Sequence, residues 1–417
     1  MARLRANRPA VRGALVSAGT AAGREVLPDE AYAAALLGLP ALWPARLAAL
    51  LGLRRGRRGA DRGTRRSARA AWDLVRRGRA ADVPGVRSLL TEADPDAIAA
   101  HWAAAACRVD VGRAWPAYRR LGARVDILGD AGYPTRLAEG PGAPYVLFRS
   151  GTRPELEGRT AAVVGTRRCT PVGRAIASEF GAALAEAGVR VVSGLALGVD
   201  GAAHQGALDA GSGAPIGVVA GGFDRPYPVR HRPLWQRVAA AGTLVSEWPL
   251  GARSEGWRFP ARNRLIVALS EVVVVIESGE RGGSMVTAQL AAERGVPVLA
   301  VPGSIRNPTA AGTNRLLRDG AQPACGVDDV LAALSLADGA TAATDRRPPP
   351  SGVAAGALAA MGWDPVTTDL LASRTGLPPA ELAVALAHLE LDGWIAGGAG
   401  HWQRIGSADR AVVSRGA

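Results

Sequence analysis

Residues 161–204 read AAVVGTRRCTPVGRAIASEFGAALAEAGVRVVSGLALGVDGAAH. The apolar run Ala161–Val164 leads through a glycine turn into a small-residue helix over about Gly173–Ala187. A second run, Val189–Val192, leads through another glycine-rich turn into a helix over about Asp200–Ala210. An apolar run without alternation predicts a strand covered on both faces, and a helix between two such runs is the crossover of a parallel sheet. Ile216–Val219, Thr243–Val245, Val272–Ile276 and Val298–Val301 repeat the pattern. Their expected helices cover Leu234–Ala241, Arg262–Leu269, Met285–Arg294 and Gly312–Arg318. Residues 126–335 therefore read as an α/β core of the extended Rossmann-like kind, doubly wound around a mostly parallel sheet.

Working outward, residues 25–125 carry helix-spaced Leu and Ala and read as an N-terminal all-helical domain, preceded by a disordered lead-in over 1–24. Residues 336–352 contain Arg346-Arg347-Pro348-Pro349-Pro350 and read as a linker. In 353–406, Thr368–Arg374, a break at Thr375-Gly376 and Pro378–Leu391 read as a helix-turn-helix. Trp394–Ile405, centred on Gly397 and Gly398, would supply a two-stranded wing. That is a C-terminal winged-helix domain, followed by a loose tail over 407–417.

The chain has 417 residues with 50 basic against 37 acidic ones, a net charge of +13, and every basic residue is arginine. Without lysine, Schiff-base chemistry, pyridoxal-phosphate attachment and P-loop nucleotide binding are excluded. Forked guanidiniums suit phosphate instead, and an acidic partner such as nucleic acid is the electrostatic expectation. Between Arg54 and Arg79 stand eleven arginines against Asp61 and Asp73, a net +9. That segment reads either as a solvated basic loop or as an arm contacting phosphates. Cys107, Cys169 and Cys325 are too few and too scattered for a disulfide framework or a zinc cluster, which fits a cytoplasmic protein. No apolar run approaches the ~20 residues of a membrane span, so no membrane insertion is expected.

In such a sheet, ligands bind where strand ends lead into helix N-termini. Gly165-Thr166-Arg167 follows the first core strand, Ser193-Gly194 and Gly198 the second, and Ser246-Glu247 the fourth. Asp200 stands where an N-cap would be, and His204 reads as a packed histidine or as a base. The G-x-G-x-x-G dinucleotide fingerprint is absent. Arg258, Phe259, Arg262, Asn263 and Arg264, with Trp257, crowd guanidiniums and rings into eight residues, a composition suited to single-stranded nucleic acid. Arg281, Gly283, Ser284 and Thr287 form a glycine-backed anion nest at a further helix start. Several such helix starts on one edge favour a polyanion over one mononucleotide.

The motifs VVGTRR (163–168), VVSGLALGVDGAAH (191–204), FDRPYP (223–228), LVSEWP (244–249), RFPARNRLIVALS (258–270), GGSMVTA (282–288), AVPGS (300–304) and GTNRLLRDGA (312–321) occur in this order. Together they resemble the DNA-processing DprA (Smf) family. The resemblance implies a protein that binds single-stranded DNA without a cofactor or metal and without enzymatic turnover. It also implies a partner in RecA, which the protein helps to load during transformation and recombination, and a homodimer formed through the core. By position, Arg167 and Arg262-Asn263-Arg264 would hold phosphates and Phe259 would stack a base. The loops at Ser193-Gly194, Ser246-Glu247 and Gly283-Ser284 would complete the pocket. Arg281-Gly282-Gly283-Ser284 departs from the family's usual Lys-Ser-Gly-Ser. The alternative is a nucleotide-cleaving phosphoribohydrolase of the related Rossmann-like group, whose P-G-G-x-G-T-x-x-E motif would need glutamate where Leu290 stands. In the third unit, Pro379–Leu391 carries Glu381 and Glu390 but no arginine, which favours a protein-contact role over major-groove docking.

Overall fold

The computed structural model describes residues 26–53, 65–91, 94–138, 140, 142–334, 349–362, 366–398 and 401–404. The expected lead-in over 1–24, the tail over 407–417, most of the linker and the first half of the basic segment lie outside the described residues.

Six helices come first: α1 (Asp29–Leu37), α2 (Pro44–Leu51), α3 (Ala68–Arg76), α4 (Pro84–Arg87), α5 (Pro95–Cys107) and α6 (Val111–Arg120). Strand β1 (Arg124–Ile127), helix α7 (Thr135–Ala138) and strand β2 (Val146–Ser150) lead into the core. Strand and helix then alternate through β3 (Thr160–Val164), α8 (Pro171–Glu186), β4 (Arg190–Ser193), α9 (Val199–Asp209), β5 (Ile216–Val218) and α10 (Arg232–Ala241). The alternation continues through β6 (Thr243–Ser246), α11 (Arg258–Ala268), β7 (Val272–Val275), α12 (Gly283–Glu293), β8 (Val298–Ala300), α13 (Ala311–Arg318), β9 (Gln322–Pro323) and α14 (Val327–Ala333).

These nine strands form one sheet in the order β1-β2-β6-β5-β4-β3-β7-β8-β9. From β6 to β9 all neighbours are parallel, while β2 is antiparallel to both β1 and β6. Two reversals restore direction, so the C-terminal end of β1 shares an edge with those of β3 to β7. The sheet first grows from β3 towards β6 and then jumps to β7 on the other side, which makes β3/β7 the topological switch point. The run β3 shows why its sequence is apolar throughout: Ala161 and Val163 face the layer of α8, α9 and α14, and Ala162 and Val164 face the layer of α7, α11 and α12.

Strands β1 and β2 were not among the expected ones. Each is short, and β2 carries Arg149, buried through a paired contact with Asp126 (2.6 and 2.7 Å) and a bond to the Pro154 carbonyl. A buried ion pair hides a strand from a search for apolar runs. The helical region shares a hydrophobic cluster with the β2, β6 and α10 side of the sheet, including Phe148, Leu195, Trp235 and Leu244. Tyr118 stacks on Phe148 at 5.9 Å, and its hydroxyl accepts a bond from the Leu250 amide.

The C-terminal unit comprises α15 (Gly352–Ala360), β10 (Val366–Thr367), α16 (Thr368–Thr375), α17 (Pro379–Leu391), β11 (Ile395–Gly398) and β12 (His401–Arg404). A three-stranded sheet in the order β10-β12-β11 joins the expected helix-turn-helix and wing. Gly376, at φ 65°, ends α16 in the left-handed region that glycine tolerates.

Candidate nucleic-acid interface

The carboxyl edge of the sheet is held together from within. At the switch point, the Glu277 carboxylate after β7 sits at the N-terminus of α8. There it accepts bonds from the Thr170 amide (2.8 Å) and hydroxyl (2.6 Å). The Thr166 amide donates to the Glu277 carbonyl at 2.7 Å. A methyl group at Gly173 would overlap the same carboxylate, so Gly173 lets it approach the helix. The place where a doubly wound fold commonly receives a phosphate is therefore taken by the protein's own anion.

The loop between β4 and α9 is pinned in a similar way. Asp200 does not cap α9, whose N-cap is Gly198. It lies in the first turn and reaches back to accept the Gly194 amide at 3.0 Å. Leu195 is held at φ 54°, and its carbonyl faces His231 Nδ1 at 3.1 Å. His204 is fully buried, with its ring nitrogens against the carbonyls of Asp200 and Ile216. The packed reading of His204 holds.

Arg262 is where expectation and structure part. It was expected to offer a fork to phosphate, but it is only 4% exposed. Its guanidinium passes under Gly194, where no Cβ would fit, and donates to the Val218 carbonyl. Burial pushes its pKa down to about 10, with Asp200 opposing the shift and Arg167 adding to it, so it stays charged at neutral pH. Burial raises Asp200, against the pull of Arg262 and the loop amides. The cause of the inward turn is the helix phase: α11 begins at Arg258, four residues earlier than the apolar pattern suggests. Pro260 is tolerated in the first turn because its missing N–H would have had no helical partner there.

Other expected contacts also point inward. Ser193 donates to the Val163 carbonyl, Ser246 to Gly221, Ser284 to the Ser278 hydroxyl and Thr287 to the Gly283 carbonyl. Asn263 donates to the Gly283 carbonyl at 3.3 Å and ties α11 to α12. Glu247 is buried and receives Arg264, so it positions a guanidinium rather than facing a ligand. Gly165 and Gly198 admit the close approach of Val199 and of the Thr166 carbonyl, respectively. The serines, Thr287 and Glu247 are buried and build the edge from within, while Asn263 is half-buried and retains access to its surface.

What faces outward is a cation–ring ladder. The Arg167 guanidinium lies 4.9 Å from the centre of the Phe259 ring, which packs 5.4 Å from Tyr227, itself 47% exposed. Arg258 does not join this outward face: it stacks 3.8 Å from the buried Trp248 ring. Arg167, Arg281 and Gly283 are exposed, and Arg281 borders an open cavity of about 810 Å³ shared with Met285, Arg315 and Leu316. Tyr227, whose exposed ring packs on Phe259, is not among the residues that the sequence singled out for this edge. Its sequence signal was an aromatic between two prolines in a loop at the same edge. Among the described residues no helix is long and apolar enough to cross a membrane.

Comparison with known proteins matches residues 124–335 to the family described as DNA recombination-mediator protein A, and residues 341–401 to the DprA winged helix domain. The chain is 37% identical over 220 residues to the DNA processing protein DprA of Bacillus subtilis, covering 52% of this chain and 74% of that protein. It is 36% identical over 285 residues to protein Smf of Escherichia coli, covering 66% of this chain and 75% of that protein. Among solved structures it is similar to DNA processing protein A (DprA) from Streptococcus pneumoniae, with a TM-score of 0.59 at 29% identity. The match spans 72% of this chain and 97% of that one.

Proposed function

We propose, from the premise that this chain belongs to the DNA recombination-mediator protein A family, that it binds single-stranded DNA at the carboxyl edge of its central sheet. The observation that carries the reading is the ladder of Arg167, Phe259 and exposed Tyr227. A guanidinium and ring faces at one edge accept phosphate and unpaired bases of any sequence, whereas bases in a duplex hide their faces. The arginine-only basic composition and the +13 net charge supply the attraction.

The protein acts as a binding and loading factor rather than an enzyme. It hands bound strands to RecA in recombination and transformation, works in the cytoplasm as a homodimer, and needs neither cofactor nor metal. Glu277 at the head of α8 supports this over the nucleotide-cleaving alternative, since a nucleoside monophosphate would meet a carboxylate where its phosphate should sit.

Mobility shifts on single-stranded and duplex DNA, with the salt slope measured, test the reading. Wild type should prefer single strands. Arg167→Ala should flatten the slope by about 0.7, the loss of one phosphate contact. Phe259→Ala should weaken binding about tenfold or more, through stacking, and leave the slope intact. Equal affinity for duplex, or indifference to both changes, would refute it. Release of base from purine nucleoside monophosphates would favour the hydrolase. An unchanged lag of RecA assembly on coated single strands would remove the loading role.

A further inference from the structure

On the far side of the α11 N-terminus from Phe259 lies a second aromatic group, contributed by two parts of the chain. Trp43, immediately before α2 in the helical region, meets Trp257, immediately before α11, with ring centres 5.6 Å apart and planes tilted by 49°. Trp257 in turn meets Trp248 edge-on at 5.5 Å, and the Arg258 guanidinium lies 5.2 Å from Trp257 and 3.8 Å from Trp248. Glu255 fixes the group, accepting the Trp257 indole N–H at 2.6 Å and lying 3.4 Å from Arg258.

Rings that served only to strap the helical region to the core would be covered, as Trp248 is at 9% exposure. Trp43 and Trp257 instead leave 49% and 45% of their surface open. Large exposed aromatic surface backed by a guanidinium, at the same sheet edge as the Phe259 ladder, is the composition of a base-stacking platform.

We propose that Trp43 and Trp257 form a second stacking site for unpaired nucleobases, extending the strand path from Phe259 across the head of α11 towards the helical region. This rests on the single-stranded DNA reading above, and it assigns the helical region a direct part in binding.

The test is a length series of oligo-dT bound to the full chain, comparing wild type, Trp43→Leu and Trp43→Phe. Leucine fills the packing space without offering a ring face. For oligomers long enough to reach the second site, Trp43→Leu should bind about tenfold more weakly, the scale of one lost base stack. For the shortest oligomers that bind it should match wild type. Trp43→Phe should recover most of the loss. The salt slope should not change, because no phosphate contact is removed. If Trp43→Leu lowers the melting temperature but tracks wild type at every length, the pair is only a strap and the proposal fails. If Trp43→Leu does not fold, Trp257→Leu in the same series decides, with the same expected and overturning results. If wild type binds no single strand at all, the broader reading fails first, and the two failures are told apart.

Discussion

His204 has no access to solvent, and burial holds its pKa down at about 4 despite two carbonyls that favour the imidazolium. Arg262 and His231 add smaller repulsions. The sign follows from linkage. Above the ordinary histidine value of about 6.5, both folded and unfolded chains carry neutral imidazole, and nothing is lost. As pH falls from there towards 4, the unfolded chain binds a proton that the folded one refuses, so stability declines, by an amount on the order of 3 kcal/mol once the lower value is reached. Asp200, raised by burial, acts in the opposite direction, so the histidine's share is read from a variant. Urea midpoints between pH 7 and 4.5 should fall less steeply for His204→Gln than for wild type. Parallel curves would mean that His204 does not carry the effect. The histidine's packed role was legible from its place on a small-residue helix, but the fate of Arg262 was not. Its partners Asp200 and Val218 are 62 and 44 residues away, and its direction depends on where α11 begins. For this reason Arg262→Ala is a poor probe of DNA contact: it empties a buried space under Gly194 and removes a charge that offsets the buried Asp200, so it lowers stability whatever the ligand.

Helices α8 and α9 pack backbone against backbone. A methyl group at Gly206 would overlap the Ser178 carbonyl, and one at Gly181 would overlap the carbonyl of Ala203. Neither obstacle is a flexible side chain, so the helices would have to separate, and the β4–α9 loop that holds Arg262 would move with them. Gly206→Ala should therefore destabilise the chain by about 2 kcal/mol or more. Gly188→Ala, with φ +74° and open space around it, should cost only about 1–2 kcal/mol of backbone strain. Thermal melts of the two variants check this, and equal costs would show that the helices can part freely. At this scale the sequence was informative where physics is local. Each parallel core strand from β3 to β8 fell within a residue or two of its apolar run, because burial on both faces leaves no other pattern. Strands β1, β2 and β9 stayed hidden because edge position, brevity and a buried Arg149–Asp126 pair erase that pattern. The small residues of α8 and α9 were visible as such, while the identity of the surfaces they meet is a tertiary fact.

Across the whole molecule, charge and topology converge on one edge. Because β1 runs parallel to the core strands, Asp130 just beyond it lies at the carboxyl edge, and Arg65 is paired with it at 2.5 Å. The Arg66 amide donates to the Leu51 carbonyl at 2.9 Å, so the two stems flanking residues 54–64 are tied together by a backbone bond. That segment carries five arginines against one aspartate, a net +4, and its root lies on the same edge as Arg167 and Phe259. The sequence alone left it balanced between a solvated loop and a phosphate-contacting arm, because charge density does not say where a segment is anchored. The Arg65–Asp130 anchor favours the arm. Replacing 54–64 with a short glycine-serine bridge should leave the melting temperature unchanged, since the stems already meet. It should also reduce the salt slope for long single strands by about 1–3, at roughly 0.7 per phosphate released. Binding of oligomers just long enough for the Phe259 ladder should be unaffected, which separates loss of an arm from general loss of positive field. An unchanged slope on long strands would return the segment to the status of a solvated loop and confine the proposed DNA contact to the guanidiniums and rings of the folded edge.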